Sequence, residues 1–229
     1  MRRETLLALN AASRAGKALV RATNLSTGEE RLIDPAADRS LLGAAAAEAA
    51  YADQSGAVEI DGGEWFLEVH NPPLELVVVG AAHIAQPLTR MAMLASYDVR
   101  VIDPRTSFAT PQRFPDVAIS HDWPDEALAK APLGARSALV ALTHDPKVDD
   151  PALVAALKSS AFYIGALGSR KNHAGRLERL KQQGFDDAAL ARIRGPVGLA
   201  IGARSPPEIA ISILAEITQT LRMKKSETS

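Results

Sequence analysis

The chain contains no cysteine. That excludes a disulfide framework, a thiolate zinc site, an iron–sulfur cluster and any step that uses a protein thiol. No apolar run is long enough to cross a bilayer, so a soluble protein with a substantial core is expected. A formal net charge of -1 over 229 residues removes the electrostatic reason to expect nucleic acid or an anionic membrane as partner. Local basic clusters can still bind small anions. The opening stretch, MRRETLLALNAASRAGKAL, continues as an amphipathic helix with Asn10, Ser13 and Arg14 and lacks a signal peptide's apolar core, so the expected compartment is the cytoplasm. No internal repeat or low-complexity tract is visible beyond the alanine richness.

What is present is 47% hydrophobic, with room for one large domain or a standard domain plus a small one. The Asn71-Pro72-Pro73 triplet divides it, because proline lacks a ladder N–H and holds its neighbour extended. Residues 1–71 read as a small α+β domain: a helix over Glu4–Ala15, strands at Leu19–Asn24 and Arg31–Ile33, a helix over Leu41–Tyr51, then Val58–Ile60 and Trp65–Val69 as a hairpin around Asp61-Gly62-Gly63. Trp65, Phe66 and Leu67 read as core and hairpin-face residues. Residues 74–222 alternate strand and helix patterns, and 223–229 read as a disordered tail. The fold class expected is α/β, a Rossmann-like doubly wound parallel sheet preceded by the small α+β domain.

The most informative stretch is Leu74 to Arg105. LELVVVG breaks at Gly80 into a helix-length segment, and a second apolar strand ends at Asp103. In such a βαβ unit the glycine allows a tight turn, a helix starting near His83 points free N–H groups at a phosphate, and Asp103 can accept hydrogen bonds from ribose hydroxyls. The turn residues Gly80, Ala82, His83 and Ile84 are the first candidate binding set. The three glycines of a dinucleotide fingerprint read Gly80, Ala82 and Ala85, and Ala82 places a Cβ where a pyrophosphate would press closest. His83 reads equally as a solvated first-turn residue or as an anion donor. Asp103 is also a plausible turn-former before Pro104, and Arg105 would suit a 2′-phosphate or another anion.

Further candidates fall at later strand ends. Thr143-His144-Asp145-Pro146 reads as an Asx-type turn, or as a His–Asp pair able to orient a substrate or shuttle a proton, with His144 and Asp145 as candidate catalytic groups. In ALGSRKNHAGRLERLKQQG, Gly168 relieves the backbone, Ser169 is a suitable N-cap, and Arg170 with Lys171 adds positive charge at a helix N-terminus. Its plain alternative is a capped helix with a solvated basic face. Ser205-Pro206-Pro207-Glu208 is a capping box opening the last helix.

Taken in order, VVVGAAHIAQPL, VRVIDPR with RFPD, ALTHDPKVDDPAL, YIGALGSRKNHAGRLERLKQQGF and GPVGLAIGARSPPEIAISILAEI resemble the C-terminal Rossmann domain of the XdhC/CoxI family. These are accessory proteins of molybdenum hydroxylases such as xanthine dehydrogenase and CO dehydrogenase. The resemblance covers about two thirds of the chain. It implies a chaperone-like role: binding molybdenum cofactor (molybdopterin), assisting oxo-for-sulfido exchange with a cysteine desulfurase, and delivering the matured cofactor to the apo-enzyme. Two departures stand out. The family's longer N-terminal domain with its GSxxGGC-type segment has no counterpart here, and GxGH reads GAAH. These imply a short paralogue working with a separate XdhC-type subunit. An NAD(P)-dependent oxidoreductase and a nucleotide-sensing module are the alternatives, and exposed edge strands in the N-terminal module make a homo-oligomer an expectation.

Overall fold

A computed structural model describes residues 3–223. Of the tail expected at 223–229, only Met223 falls among them, as the residue capping the last helix. The chain divides at Pro72/Pro73 into two compact units.

The first unit runs α1 (Arg3–Arg14), β1 (Leu19–Asn24), β2 (Glu30–Ile33), α2 (Leu41–Ala52), β3 (Gly56–Ile60) and β4 (Gly63–His70). Its strands form an antiparallel sheet in the order β2-β1-β4-β3. Asp61 and Gly62 join β3 to β4 at φ 51° and 73°, the paired left-handed backbone that a two-residue hairpin turn requires. Strand alternation sorts the aromatic run: Trp65 and Leu67 are buried, whereas Phe66 points out at 39% exposure. The buried face, with Val20, Ala22 and Ile33, packs on Leu42, Ala46 and Ala50 of α2. Ser40 caps that helix by accepting from the Gly43 N–H at 3.0 Å.

The second unit runs β5 (Leu74–Val79), α3 (Ala85–Leu94), β6 (Tyr97–Ile102), β7 (Ala118–Ser120), α4 (Pro124–Lys130), β8 (Ser137–Ala141), α5 (Pro146–Leu157), β9 (Tyr163–Ala166), α6 (Arg170–Gln182), α7 (Asp187–Leu190), β10 (Ile193–Arg194) and α8 (Pro206–Arg222). All six strands are parallel, in the order β10-β9-β8-β5-β6-β7. This is the doubly wound Rossmann order, with β5 at the centre and the chain turning back across it to β8.

The continuous apolar run of β5 follows from burial on both faces. Leu76 and Val78 pack with Leu88 and Ala92 of α3 and Ile213 and Ile217 of α8. Val77 and Val79 pack on the other side with Leu128 of α4, Leu153 of α5 and Leu180 of α6. Strand β10 has no apolar run to announce it: Ile193 is its one buried apolar residue, between charged neighbours. Helix α8 opens with the expected capping box, Glu208 Oε2 accepting from the Ser205 N–H at 2.9 Å. Among the described residues no helix is long and apolar enough to cross a membrane.

Candidate functional site

The strand order puts the switch point between β5 and β8, so ligands are expected beyond the carboxyl ends of these strands. Gly80 follows β5 at φ 98°. A Cβ built there would lie 2.3 Å from Thr143 Cγ2 and 3.2 Å from Thr143 N. Glycine is needed here because the loop after β8 fills the space a side chain would take. Helix α3 begins at Ala85 rather than near His83, and its N-cap, Ile84, has helical backbone angles and no side-chain cap. Ile84 is buried and Ala82 half-buried against the same core, while His83 is exposed.

Asp103 lies directly after β6 and is fully buried. Its Oδ2 accepts from the Ala81 N–H at 2.8 Å and from Arg105 Nη2 at 2.8 Å. Its Oδ1 accepts from the Arg105 N–H at 3.0 Å and Nε at 2.9 Å. The carboxylate that a ribose was expected to meet is thus covered by a bidentate guanidinium. What this strand end presents to solvent is Arg105, whose side chain is 41% exposed and lies 4.5 Å from the centre of the Phe108 ring.

Burial alone would push the Asp103 carboxyl up, but the hydrogen bonds from Arg105 and Ala81 hold it below the usual value of 3.8. A depressed folded value means stability that is present above pH 3.8 and lost as pH falls through the folded value. Asp103→Asn should therefore cost about 1–3 kcal/mol near neutrality and remove that part of the acid-side loss. Urea titrations across the acid range will show it. An acid limb identical to wild type would mean that the Asp103 pair contributes nothing to pH-dependent stability.

At the ends of β8 and β9 the side chains meet through Asp149, which is 1% exposed. Its Oδ1 accepts from Thr143 Oγ1 at 2.6 Å, and its Oδ2 from the His144 N–H at 3.2 Å. Arg176, 4% exposed, reaches the same Oδ2 from Nη2 at 3.5 Å and donates to the Leu167 carbonyl at 3.0 Å. Its Nε and Nη1 are buried and have no hydrogen-bond partner. Burial pushes the Asp149 carboxyl up and the Arg176 guanidinium down, each toward its neutral form. On the same helix, Arg179 is neutralised by Asp150, with Nε–Oδ2 and Nη2–Oδ1 at 2.7 and 3.0 Å.

Asp149, Arg176 and Arg179 line a cavity of about 360 Å³ that also takes in His144, Lys171 and Asn172. Asp145 caps α5 by accepting from the Lys147 N–H at 3.0 Å, and Ser169 caps α6 by accepting from the Asn172 N–H at 3.2 Å. Gly168, at φ 146°, makes the turn into that cap.

The structure therefore gathers His144 and Lys171 in one cavity and ties Thr143 to it through Asp149. Asp103 and Arg105 form a separate pair, Arg170 is exposed outside the cavity lining, and the Asp145 carboxylate is engaged as an N-cap. Among the described residues the His144 imidazole has no hydrogen-bond partner, so no His–Asp relay is formed with Asp145.

Asp149 and Arg176 were not among the sequence candidates. Their signal was a charge on a core-facing helical position: Arg176 lies one turn from Leu180, and Asp149 one turn from Leu153, both buried. No group of three or more His, Asp or Glu among the described residues could hold a metal ion.

Comparison with known proteins adds a family. Residues 76–217 match the family model described as the XdhC Rossmann domain. The uncharacterized protein YqeB of Escherichia coli (strain K12) is 32% identical over 174 residues, 76% of this chain and 31% of that protein. The molybdenum cofactor insertion chaperone PaoD of the same organism is 31% identical over 158 residues, 69% of this chain and 43% of PaoD. A probable xanthine dehydrogenase subunit of Bacillus subtilis (strain 168) is 31% identical over 156 residues, 68% of this chain and 45% of that protein. The chain thus spans less than half the length of these curated relatives. A crystal structure of a xanthine dehydrogenase from Bacillus halodurans superposes with a TM-score of 0.71 at 24% identity, over 96% of this chain and 67% of that one, a likeness of fold.

Proposed function

Because this chain belongs to the XdhC Rossmann-domain family, we propose that it is an accessory protein of a molybdenum hydroxylase. In this role it binds the enzyme's molybdenum cofactor, or a nucleotide, at the carboxyl edge of its parallel sheet and assists maturation of the apo-enzyme. The names of two relatives, a molybdenum cofactor insertion chaperone and a probable xanthine dehydrogenase subunit, support the client class. The observation that carries the reading is the cavity beyond the ends of β8 and β9, where Lys171 and Arg176 present positive charge to a phosphorylated ligand, with Arg105 at the end of β6 as a separate, half-exposed cation.

The cofactor's anionic end fits this cavity, since a buried guanidinium with unpartnered nitrogens lacks the acceptors that a phosphate supplies. The metal end finds no thiolate here, because the chain has no cysteine. When bound, the cofactor supplies the pterin-held molybdenum, and this chain's residues hold and orient its organic part. Sulfur transfer through a protein persulfide falls to a partner, either a cysteine desulfurase or a separate XdhC-type subunit.

Nicotinamide dinucleotide is the second reading, favoured by the strand order and by Arg105 at the end of β6, where a 2′-phosphate would meet positive charge. The test is to denature purified protein, identify any released small molecule by mass spectrometry and fluorescence, and titrate apo-protein separately with molybdopterin and NAD(P)H. Pterin recovery or tight pterin binding supports the accessory role, while nicotinamide binding alone replaces it with a dehydrogenase or a sensor. In a deletion strain the client hydroxylase should lose activity while its protein level stays unchanged.

A further inference from the structure

A Rossmann domain ordinarily seats its ligand's diphosphate on the glycine turn after the first strand, where free backbone N–H groups and an open helix N-terminus meet it. Here that turn is sterically restricted, although among the described residues the Ala82, His83 and Ile84 N–H groups have no acceptor. The Ala81 N–H is already bonded to Asp103 at 2.8 Å, and the space beside Gly80 is filled by the Thr143 methyl. Helix α3 begins from a buried aliphatic residue, Ile84, with no polar cap.

The other side of the switch point adds buried and exposed side-chain charge. Helices α5 and α6, of 12 and 13 residues, both begin at the cavity that Arg176 lines. Arg176 is more than nine-tenths buried, two of its three nitrogens have no acceptor, and its one carboxylate neighbour stands 3.5 Å away. That carboxylate also serves Thr143 and His144, so it does not saturate the guanidinium. Asp150 is engaged by Arg179, and Lys171 at the cavity wall has no ion-pair partner among the described residues. Leaving a buried guanidinium with missing acceptors is unfavourable, and an oxyanion relieves it. A volume of about 360 Å³ is ample for a phosphate or diphosphate.

We propose that the pocket between the N-termini of α5 and α6 is a subsite for a phosphate or diphosphate group, with Arg176 and Lys171 as its charged donors. It rests on the reading above only in taking the ligand to be phosphorylated. The shared chemistry is the oxyanion, whether a pterin or a nucleotide carries it.

The experiment is calorimetric titration of the full chain with inorganic pyrophosphate at low ionic strength, for wild type, Lys171→Ala, Arg176→Gln and Lys181→Ala. Lys181 lies at the far end of α6, paired with Asp187, and controls for the loss of one positive charge. Lys171→Ala should weaken binding about tenfold and Arg176→Gln about tenfold to a hundredfold, while Lys181→Ala stays within about twofold. Lys171 is exposed, so its variant tests the site even where Arg176→Gln fails to fold.

Absence of pyrophosphate binding to wild type overturns the proposal, as does equal affinity for Lys171→Ala and Lys181→Ala. Parallel titrations with NADP and with molybdopterin identify the source, because only the ligand whose phosphate sits here loses affinity in Lys171→Ala. Should pyrophosphate behave as expected while molybdopterin fails to bind, the subsite stands and the cofactor assignment falls.

Discussion

Asp149→Ala is expected to destabilise the Rossmann unit by about 3–5 kcal/mol. The substitution removes the acceptor of the Thr143 hydroxyl and of the His144 N–H, together with the one carboxylate that faces Arg176. Arg176 is then left buried at 4% exposure with only the Leu167 carbonyl as partner. The penalty is that of a charge without compensation in a poorly solvated place, and it greatly exceeds the value of a surface ion pair.

The shift will appear in the urea midpoint at constant slope, since the native surface is otherwise unaltered. Asp149→Leu combined with Arg176→Met should recover part of the loss, because the buried guanidinium is gone, while the Thr143 hydroxyl, the His144 N–H and the Leu167 carbonyl still lose a partner. A midpoint within about 1 kcal/mol of wild type for Asp149→Ala would show that this network is not a structural element of the fold. Loss of pyrophosphate binding in the partly recovered double variant would then report on the anion subsite alone, separated from stability.

The second large effect is at Gly80. Any Cβ there lies 2.3 Å from Thr143 Cγ2, a distance at which something must move, and the backbone stands at φ 98°. Steric displacement and left-handed strain together put Gly80→Val at about 2–5 kcal/mol. This follows from packing between the two central strand ends, before any ligand is considered. Because the nearest clash is with a methyl group, Thr143→Ser should lower the cost of Gly80→Ala by about 1 kcal/mol while keeping the hydroxyl that Asp149 accepts from. Strict additivity of the two substitutions would show that the methyl is not the obstacle and that the strain lies in the backbone.

The two predictions meet at Thr143. Its methyl occupies the space beside Gly80, and its hydroxyl holds Asp149, which in turn faces Arg176. The glycine turn and the cationic pocket are therefore joined through one side chain, although no spacing in the sequence links them.

Much of the framework was legible beforehand. LELVVVG read as a strand buried on both faces because every residue from Leu76 to Val79 is apolar, and those side chains do enter two separate cores. The capping box at Ser205 and Glu208 read correctly because it is local: donor and acceptor lie three residues apart. Strand β10 escaped notice because two residues with one buried apolar side chain make no period. Helix α3 begins at Ala85, two residues beyond the expected start near His83, since Ile84 supplies none of the polar chemistry that marks a helix entry.

The candidate site was legible in its parts and not in its arrangement. Lys171 and His144 were expected at strand ends and do share a cavity, and of the two readings of Thr143-His144-Asp145-Pro146 the structure has the Asx-type turn, Asp145 capping its own helix, and not the His–Asp pair. Asp103 stands where a ribose-binding acid stands in a Rossmann unit, yet Arg105, two residues on, folds back over it.

By itself, then, the sequence determined the class of sheet, the order of its strands and helices, the family and the lack of thiol chemistry, because each depends on periodicity, on local motifs or on composition. Only the tertiary structure decided which charges are free. Asp149 and Arg176 are 27 residues apart and on different helices, and their burial, incomplete pairing and shared cavity exist only once α5 and α6 pack on the same face of the sheet. Electrostatic character at a site is a property of distances in space, and distances between separate elements are what a linear pattern does not contain.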